Sequence, residues 1–261
     1  MHASRRRFEE LLWIVGLSRV TAPLWERLRG GRAVQQSRLM RQFYAPLLPQ
    51  GSLVFDIGAN VGTMTQVFTS LSAKVIAVEP NPDCVRHIEL TTPRESVEVL
   101  QAAVGEKNGL AVLKVSDRKD KMSSLSDEWR DAIAKENHDY AGMWKRELTV
   151  PLLTLDTLIE RYGMPHYIKI DVEGYEEQVL KGLSALPPLL SFEFNRLFLE
   201  PILQILVSPI FRDSTFNYTL IDPVRFELRD WVSANELTAP LRNLSGSSGL
   251  GDIFARNHPP V

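Results

Sequence analysis

The chain has 261 residues, of which 44% are hydrophobic and 24% charged, with 15 glycines, 16 prolines and a net charge of −2. This is the composition of an ordinary globular protein and excludes a disordered, collagen-like or coiled-coil chain. The single cysteine, Cys84, closes no intrachain disulfide and leaves no Cys-based zinc site, which fits a reducing compartment and a cytoplasmic location.

No apolar run approaches the ~18 residues of a membrane span; Leu11 to Leu17 is short, and Leu197 to Phe211 is broken by proline. Charge is unevenly spread. Residues 1–41 hold nine arginines against Glu9, Glu10 and Glu26, or +6, leaving −8 on the rest. Glu9 and Glu10 interrupt what would be the start of a signal peptide, so we expect an uncleaved basic helical extension over residues 1–45, divided by Pro23 and closed at Gly30-Gly31. Phe8, Leu11, Leu12 and Val15 recur at helical spacing beside the arginines. That pattern fits peripheral contact with an anionic membrane or packing on the main domain, residues 46–261.

Beyond the extension, strand-like and helix-like periods alternate, the pattern of an α/β layer fold. Leu53 to Ile57 is a short apolar strand entering a Gly-rich turn, and Met64, Val67, Phe68 and Leu71 follow at helical spacing. Lys74 to Val78 is a second strand, Val97 to Val104 a third. Leu110 to Val115 and Glu147 to Leu152 read as half-buried strands flanking a polar insertion, 116–146, long enough to serve as a substrate lid. Within it, Ser126 to Lys135 could hold a helix. Leu155 to Tyr162 marks a helix face, Tyr167 to Ile170 a buried strand, and the next helix stops at Lys181 with Gly182 as its cap. Leu189 to Phe194, Tyr218 to Ile221 and Asp252 to Arg256 complete the strands.

The strongest chemical signal is Asp56-Ile57-Gly58-Ala59-Asn60-Val61-Gly62 at a strand-to-helix turn. Such a turn needs small residues because a ligand approaches the backbone there. Glu79 ends the next strand about 20 residues on, where an acid reaches a ribose diol. A dinucleotide would need an anion-friendly loop for its pyrophosphate, yet this loop opens with the carboxylate of Asp56. S-adenosylmethionine carries no phosphate and two cationic groups, so Asp56 and Glu79 suit it better.

Four segments in register resemble one family: Val54 to Gly62, Val78-Glu79-Pro80-Asn81-Pro82, Thr154-Leu155-Asp156-Thr157-Leu158, and Ile168 to Glu176. They look like the FkbM family of S-adenosylmethionine-dependent methyltransferases, over about Leu53 to Asn195. The resemblance implies a Rossmann-like class I methyltransferase sheet of seven strands with the last antiparallel, and methyl transfer to a hydroxyl of a small molecule, sugar or glycolipid. It also implies that Asp56, Gly58, Ala59, Asn60 and Gly62 surround the methionine part and Glu79 with Pro80 the ribose. Gln101, Ala102 and Ala103 would meet the adenine, with Asp171 at the rim. A further, weaker match falls at Met122-Ser123-Ser124-Leu125.

Methyl transfer to an alcohol needs positioning and a proton acceptor. Asp171 and Glu173 follow the fourth strand and Glu193 ends the next, so these three are the candidate bases. Asp171 also reads as an N-cap and Glu173 as a first-turn acid of the following helix. The three acids could instead hold Mg²⁺, although we assign no metal. Among histidines only His138, in the insertion, is placed to act as a base; Trp129 and Trp144 could wall an acceptor pocket.

The rivals are a nucleotide-dependent oxidoreductase, disfavoured by Asp56 and Asn60, and a cofactor-binding membrane-surface protein without turnover. A nucleic-acid partner is not expected. No Asn-Pro-Pro-aromatic motif follows the fourth strand, and the chain beyond the extension is acidic.

Overall fold

A computed structural model describes residues 31–116, 123–136, 138–140, 142–196, 199–220, 225–244 and 249–257. The elements run α1 (Gly31–Tyr44), β1 (Leu53–Ile57), α2 (Thr63–Ser70), β2 (Lys74–Val78), α3 (Pro82–Thr91), β3 (Val97–Leu100), β4 (Ala103–Val104), β5 (Gly109–Val115) and β6 (Ser123–Ser124). They continue with α4 (Asp127–Glu136), β7 (Arg146–Leu153), α5 (Leu155–Tyr162), β8 (Tyr167–Ile170), α6 (Glu176–Lys181), β9 (Leu189–Asn195), α7 (Leu199–Leu206), β10 (Ser214–Leu220), α8 (Ala234–Arg242) and β11 (Leu250–Asn257). The leader readings on residues 1–30, and Met122, lie outside the described residues.

Seven strands form the main sheet in the order β10-β11-β9-β8-β1-β2-β3. Five of them, β9 to β3 in that order, are parallel, whereas the last strand of the chain, β11, runs antiparallel to both β9 and β10. This is the expected α/β sheet. Strand order reverses between β1 and β8, so the loops leaving these two strands diverge to opposite faces and open a crevice at the carboxyl edge.

The buried strands read as continuous apolar runs because both faces are covered. Phe55, Ile57, Ile168, Ile170, Leu190 and Phe192 face one core, beneath α5, α6 and α7. Val54, Val75, Ala77, Tyr167 and Phe254 face the other, beneath α1 and α2. Each such side chain contributes ~1.5–3 kcal/mol when fully buried.

Some expectations on the elements need correction. Val97 to Val104 is not one strand: the chain leaves the main sheet after Leu100, turns through an exposed Gln101, and Ala103-Val104 pairs with β7 in a separate four-stranded sheet, β4-β7-β5-β6. The described part of the expected extension, α1, packs on the sheet. Tyr44 of α1 is fully buried, with its ring 5.2 Å from Phe68 and 5.8 Å from Tyr167. Gly182 is the C-cap of α6 as expected, with φ −86°, and a glycine is needed there because a Cβ would fall 2.3 Å from the Gly105 carbonyl oxygen.

The apolar run Leu197 to Phe211 supplies α7, whose Leu199, Ile202, Leu203, Ile205 and Leu206 are buried against the sheet. Helix α8, closed by a Ser233–Glu236 capping box, packs beside it. No helix among the described residues is long and apolar enough to cross a membrane.

Candidate functional site

The crevice at the switch point is an open cleft between the β1, β2 and β8 loops. Its Gly-rich side is built by backbone no ordinary residue prefers: Gly58, Asn60 and Gly62 all have positive φ, at 78°, 49° and 79°. The loop's own N–H groups turn inward. Gly58 and Ala59 donate to the Val78 carbonyl at 2.9 and 3.2 Å, Gly62 to Ala59 at 2.8 Å, and Asn60 to the Glu79 carboxylate at 2.8 Å. A pyrophosphate would need such groups free, so the dinucleotide reading loses its main support.

Glu79 ties the β1 and β2 loops together. One carboxylate oxygen accepts from Asn60 N and the other from Asn81 N, each at 2.8 Å. Burial pushes its carboxyl up to about 7, against those two hydrogen bonds and with the nearby charges of Asp56 and Asp171 adding to the rise. Each oxygen retains a lone pair for a further donor. Cys84, buried, donates weakly to the Asn60 side chain at 3.5 Å and braces the same loop.

The cleft is lined by Gly58, Asn60, Glu79, Pro80, Ala102, Ala103, Asp171 and Glu173 from the expected set. Four others of the expected cofactor residues support the loop from behind or lie elsewhere. Asp56 is buried and accepts from Thr65 Oγ1 at 2.6 Å, with burial raising its carboxyl against the pull of Lys169. Gly62 packs on Ile88, and Ala59 belongs to the α1-side core. Gln101 is exposed and does not line the cleft. The resemblance puts it at the end of the third strand, but that strand ends one residue earlier, at Leu100.

Asp171 is not a helix cap. Helix α6 starts at Glu176 with Tyr175 as its N-cap, and Asp171 instead accepts from the buried Lys169 ammonium at 2.6 Å. Burial alone would lower the Lys169 ammonium, but Asp171, Asp252 and Asp56 outweigh it and hold it above its usual range. Lys169 sits in register with Asp56 on β1 and Ser191 on β9, so it underlies the whole switch point.

Glu173 is not a first-turn acid either. With Gly174 it forms a left-handed turn, φ 55° and 87°, held by Glu176, whose carboxylate accepts from Val172 N and Gly174 N at 3.1 and 3.3 Å. Burial pushes Glu176 up to about 7. Sequence reasoning missed Lys169 and Glu176; a lysine inside an apolar strand was the available signal for the first.

A second, open cavity adjoins the cleft, and Tyr175 lines both. Glu193 and Asn195 of β9, Trp129 of α4 and Pro201 and Ile202 of α7 form its walls. Glu193 is half-buried and makes no hydrogen bond or ion pair among the described residues. Burial pushes its carboxyl well above the usual range, with Asp171, Glu173, Glu176 and Asp252 adding to the rise. The three candidate acids therefore do not meet in one place: Asp171 and Glu173 face the first cavity, Glu193 the second. Among the described residues no cluster of three His, Cys, Asp or Glu side chains is arranged to hold a metal ion.

The insertion is packed down on this loop. Ser124 Oγ donates to the Glu173 carbonyl at 2.7 Å, and a Cβ on Gly174 would lie 2.4 Å from Trp129. Trp144 meets Trp129 edge to face at 6.1 Å. His138 is exposed and lines neither cavity.

The Methyltransferase FkbM domain model matches residues 56–207. The hexuronic acid methyltransferase AglP of Haloferax volcanii is 26% identical over 137 residues, 52% of this chain and 51% of that protein, so the chain spans about half the length of this curated relative. Among solved structures, the plantazolicin methyltransferase BpumL in complex with SAH aligns at a TM-score of 0.43 and 11% identity, over 97% of this chain and 99% of that one. The precorrin-6y C5,15-methyltransferase of Geobacter metallireducens GS-15 aligns at 0.42 and 11%, over 84% and 87%. With more than half of its residues inside the family model, the chain belongs to the FkbM family of S-adenosylmethionine-dependent methyltransferases.

Proposed function

We propose that the protein transfers the methyl group of S-adenosylmethionine to a hydroxyl oxygen of a sugar, glycolipid or other small polyhydroxylated molecule. When bound, the donor supplies a methyl group on a cationic sulfonium. The first cleft fits it: Glu79, Asp171 and Glu173 are its charged lining residues, and no Lys, Arg or His is among them. Such a lining attracts a cation and repels phosphate. Glu79 is positioned to accept from a ribose diol, and Ala102 and Ala103 offer a flat apolar wall to a base.

The observation that carries O-methylation is Glu193, a carboxyl without a hydrogen-bond or ion-pair partner among the described residues, facing the second cavity, which shares Tyr175 with the first. Burial and the neighbouring acids raise its proton affinity above the usual carboxylate range, so in its ionised form it is a stronger acceptor for the proton that a hydroxyl releases as it gains the methyl group. Asp171 is already committed to Lys169, so its role is to hold the cofactor side of the rim. The relative named for a hexuronic acid supports a sugar-type acceptor.

The test is incubation of the full-length protein with S-adenosylmethionine and a panel of glycosides, scored by S-adenosylhomocysteine formation and by NMR of the methylated product. A new methyl group on oxygen supports the reading. Cofactor binding with no S-adenosylhomocysteine across the panel would favour the non-turnover rival. A second reading concerns the basic segment: its +6 balance over residues 1–41 supports peripheral contact with an anionic membrane surface, which would bring the enzyme to a lipid-linked acceptor from the cytoplasmic side.

A further inference from the structure

We propose that Ser124 is a positioning residue for the donor site: its hydroxyl locks the strained turn that carries Glu173, so that docking of the insertion and binding of S-adenosylmethionine favour one another. This rests on the reading of the first cleft as the donor site and does not depend on the acceptor.

Glu173 lines the first cleft from left-handed backbone, φ 55°, and Gly174 follows at 87°. In a residue with a side chain such backbone persists only where its surroundings over-determine it. Two elements do so here. From α6, the buried Glu176 carboxylate accepts from Val172 N and Gly174 N at 3.1 and 3.3 Å. From the insertion, Ser124 Oγ donates to the Glu173 carbonyl at 2.7 Å. Trp129, also of the insertion, closes on Gly174 so tightly that a Cβ there would lie 2.4 Å from it. Groups on both sides of Glu173 are therefore tied, and its side chain is held at the cleft.

The insertion also forms part of the cleft itself. Ser124 is fully buried, and the residues on either side of it, Ser123 and Leu125, both line the cleft. From Ser124 a chain of hydrogen bonds runs into α4: Ser126 N donates to Ser124 Oγ at 2.9 Å, and Trp129 N to Ser126 Oγ at 3.1 Å. Undocking of this segment would remove two lining residues and release the Glu173 turn together. A cofactor that binds the docked arrangement more tightly must stabilise docking by the same factor, because the coupling is reciprocal.

The experiment measures S-adenosylhomocysteine binding by titration calorimetry in the full-length parent, Ser124→Ala, Glu173→Gly and the double variant. Ser124→Ala should weaken binding about tenfold, as expected for a lost buried hydrogen bond. Glycine takes a positive φ without strain, and Glu173→Gly leaves no side chain to position. In that background Ser124→Ala should therefore weaken binding less than about twofold. A hydroxyl that only stabilised the insertion would give the same loss in both backgrounds. Equal losses, or an unchanged affinity in Ser124→Ala, would overturn the proposal.

Hydrogen exchange adds a measurement that needs no variant. In the parent, S-adenosylhomocysteine should slow exchange of the α4 amides, and this protection should largely vanish in Ser124→Ala. Where Ser124→Ala does not fold, the parent decides alone: protection of α4 on cofactor binding supports the coupling, and its absence overturns it. Glu79→Ala separates this proposal from the reading of the cleft. Affinity lost in Glu79→Ala but kept in Ser124→Ala leaves the donor site standing and overturns the positioning role. Affinity kept in both counts against the cleft as the donor site and overturns the proposal with it.

Discussion

Gly58 and Asp171 leave no space for a side chain between them: a Cβ on Gly58 would lie 1.8 Å from the Asp171 carbonyl oxygen. The backbones of the β1 and β8 loops touch here, at the point where strand order reverses. Gly58→Ala would combine that overlap with a positive φ of 78° and must spread the two loops. We expect a destabilisation above ~2 kcal/mol and loss of S-adenosylhomocysteine binding. Gly51→Ala is the control, since Gly51 has the same φ with nothing within 4 Å, and should cost only about 1 kcal/mol. Equal melting temperatures for the two variants would refute the packing role of Gly58.

Asp171→Asn should destabilise the fold, because it leaves the Lys169 ammonium, only 6% exposed, without its nearest counter-ion. Breaking a fully buried pair costs ~3–5 kcal/mol; with Asp171 35% exposed we expect about 2 kcal/mol, or roughly 5 °C in Tm. Had Asp171 been a helix cap, Asn would have replaced it with little change. An unaltered Tm would mean that Asp56 and Asp252 suffice to hold Lys169.

Glu193→Gln keeps the shape of the side chain and removes the proton acceptor. Turnover should fall ~100-fold or more while cofactor affinity and Tm stay near the parent. Because the Glu193 carboxyl is raised, kcat/KM of the parent should climb with pH through a limb above the ordinary carboxylate range, and the variant should lack that limb. Retention of the limb in the variant would shift the base to another group, with Asp171 and Glu173 the next to test.

Glu79 and Glu176, both pushed up to about 7 from an ordinary 4.5, should make the protein more stable in mild acid. The folded state binds these protons more tightly than the unfolded state, so their contribution is fully present below about 4.5 and is lost as pH rises through about 7. Tm should therefore decline across that window, and Glu79→Gln should make the decline shallower. Cofactor binding, which favours the ionised form of Glu79, should release protons in the same range, measurable by calorimetry in buffers of different ionisation enthalpy. A flat Tm profile in the parent would argue against both shifts.

The basic segment gives a salt-dependent expectation. With +6 over residues 1–41, full-length protein should sediment with acidic liposomes at low ionic strength and detach as the Debye length falls; absence of binding at low salt would leave packing on the domain as its role.

The sequence by itself determined most strands and the cofactor loop. Leu53–Ile57, Lys74–Val78 and Tyr167–Ile170 have the predicted bounds, because buried parallel strands are continuous apolar runs that end at a turn. Glycines at 58 and 62 and the acid at 79 were legible because their spacing follows from the strand-loop-helix unit itself.

What only the tertiary structure decided is which side chains share a space. Asp171, Glu173 and Glu193 all follow or end neighbouring strands, yet Lys169 claims the first, a left-handed turn aims the second into the cofactor cleft, and the third opens on the other cavity. The second cavity draws its walls from α4, α6, β9 and α7, segments far apart in the chain. Sequence periodicity reports the burial of each element separately, whereas a site's charge depends on distances between elements, which fall out only when the sheet closes.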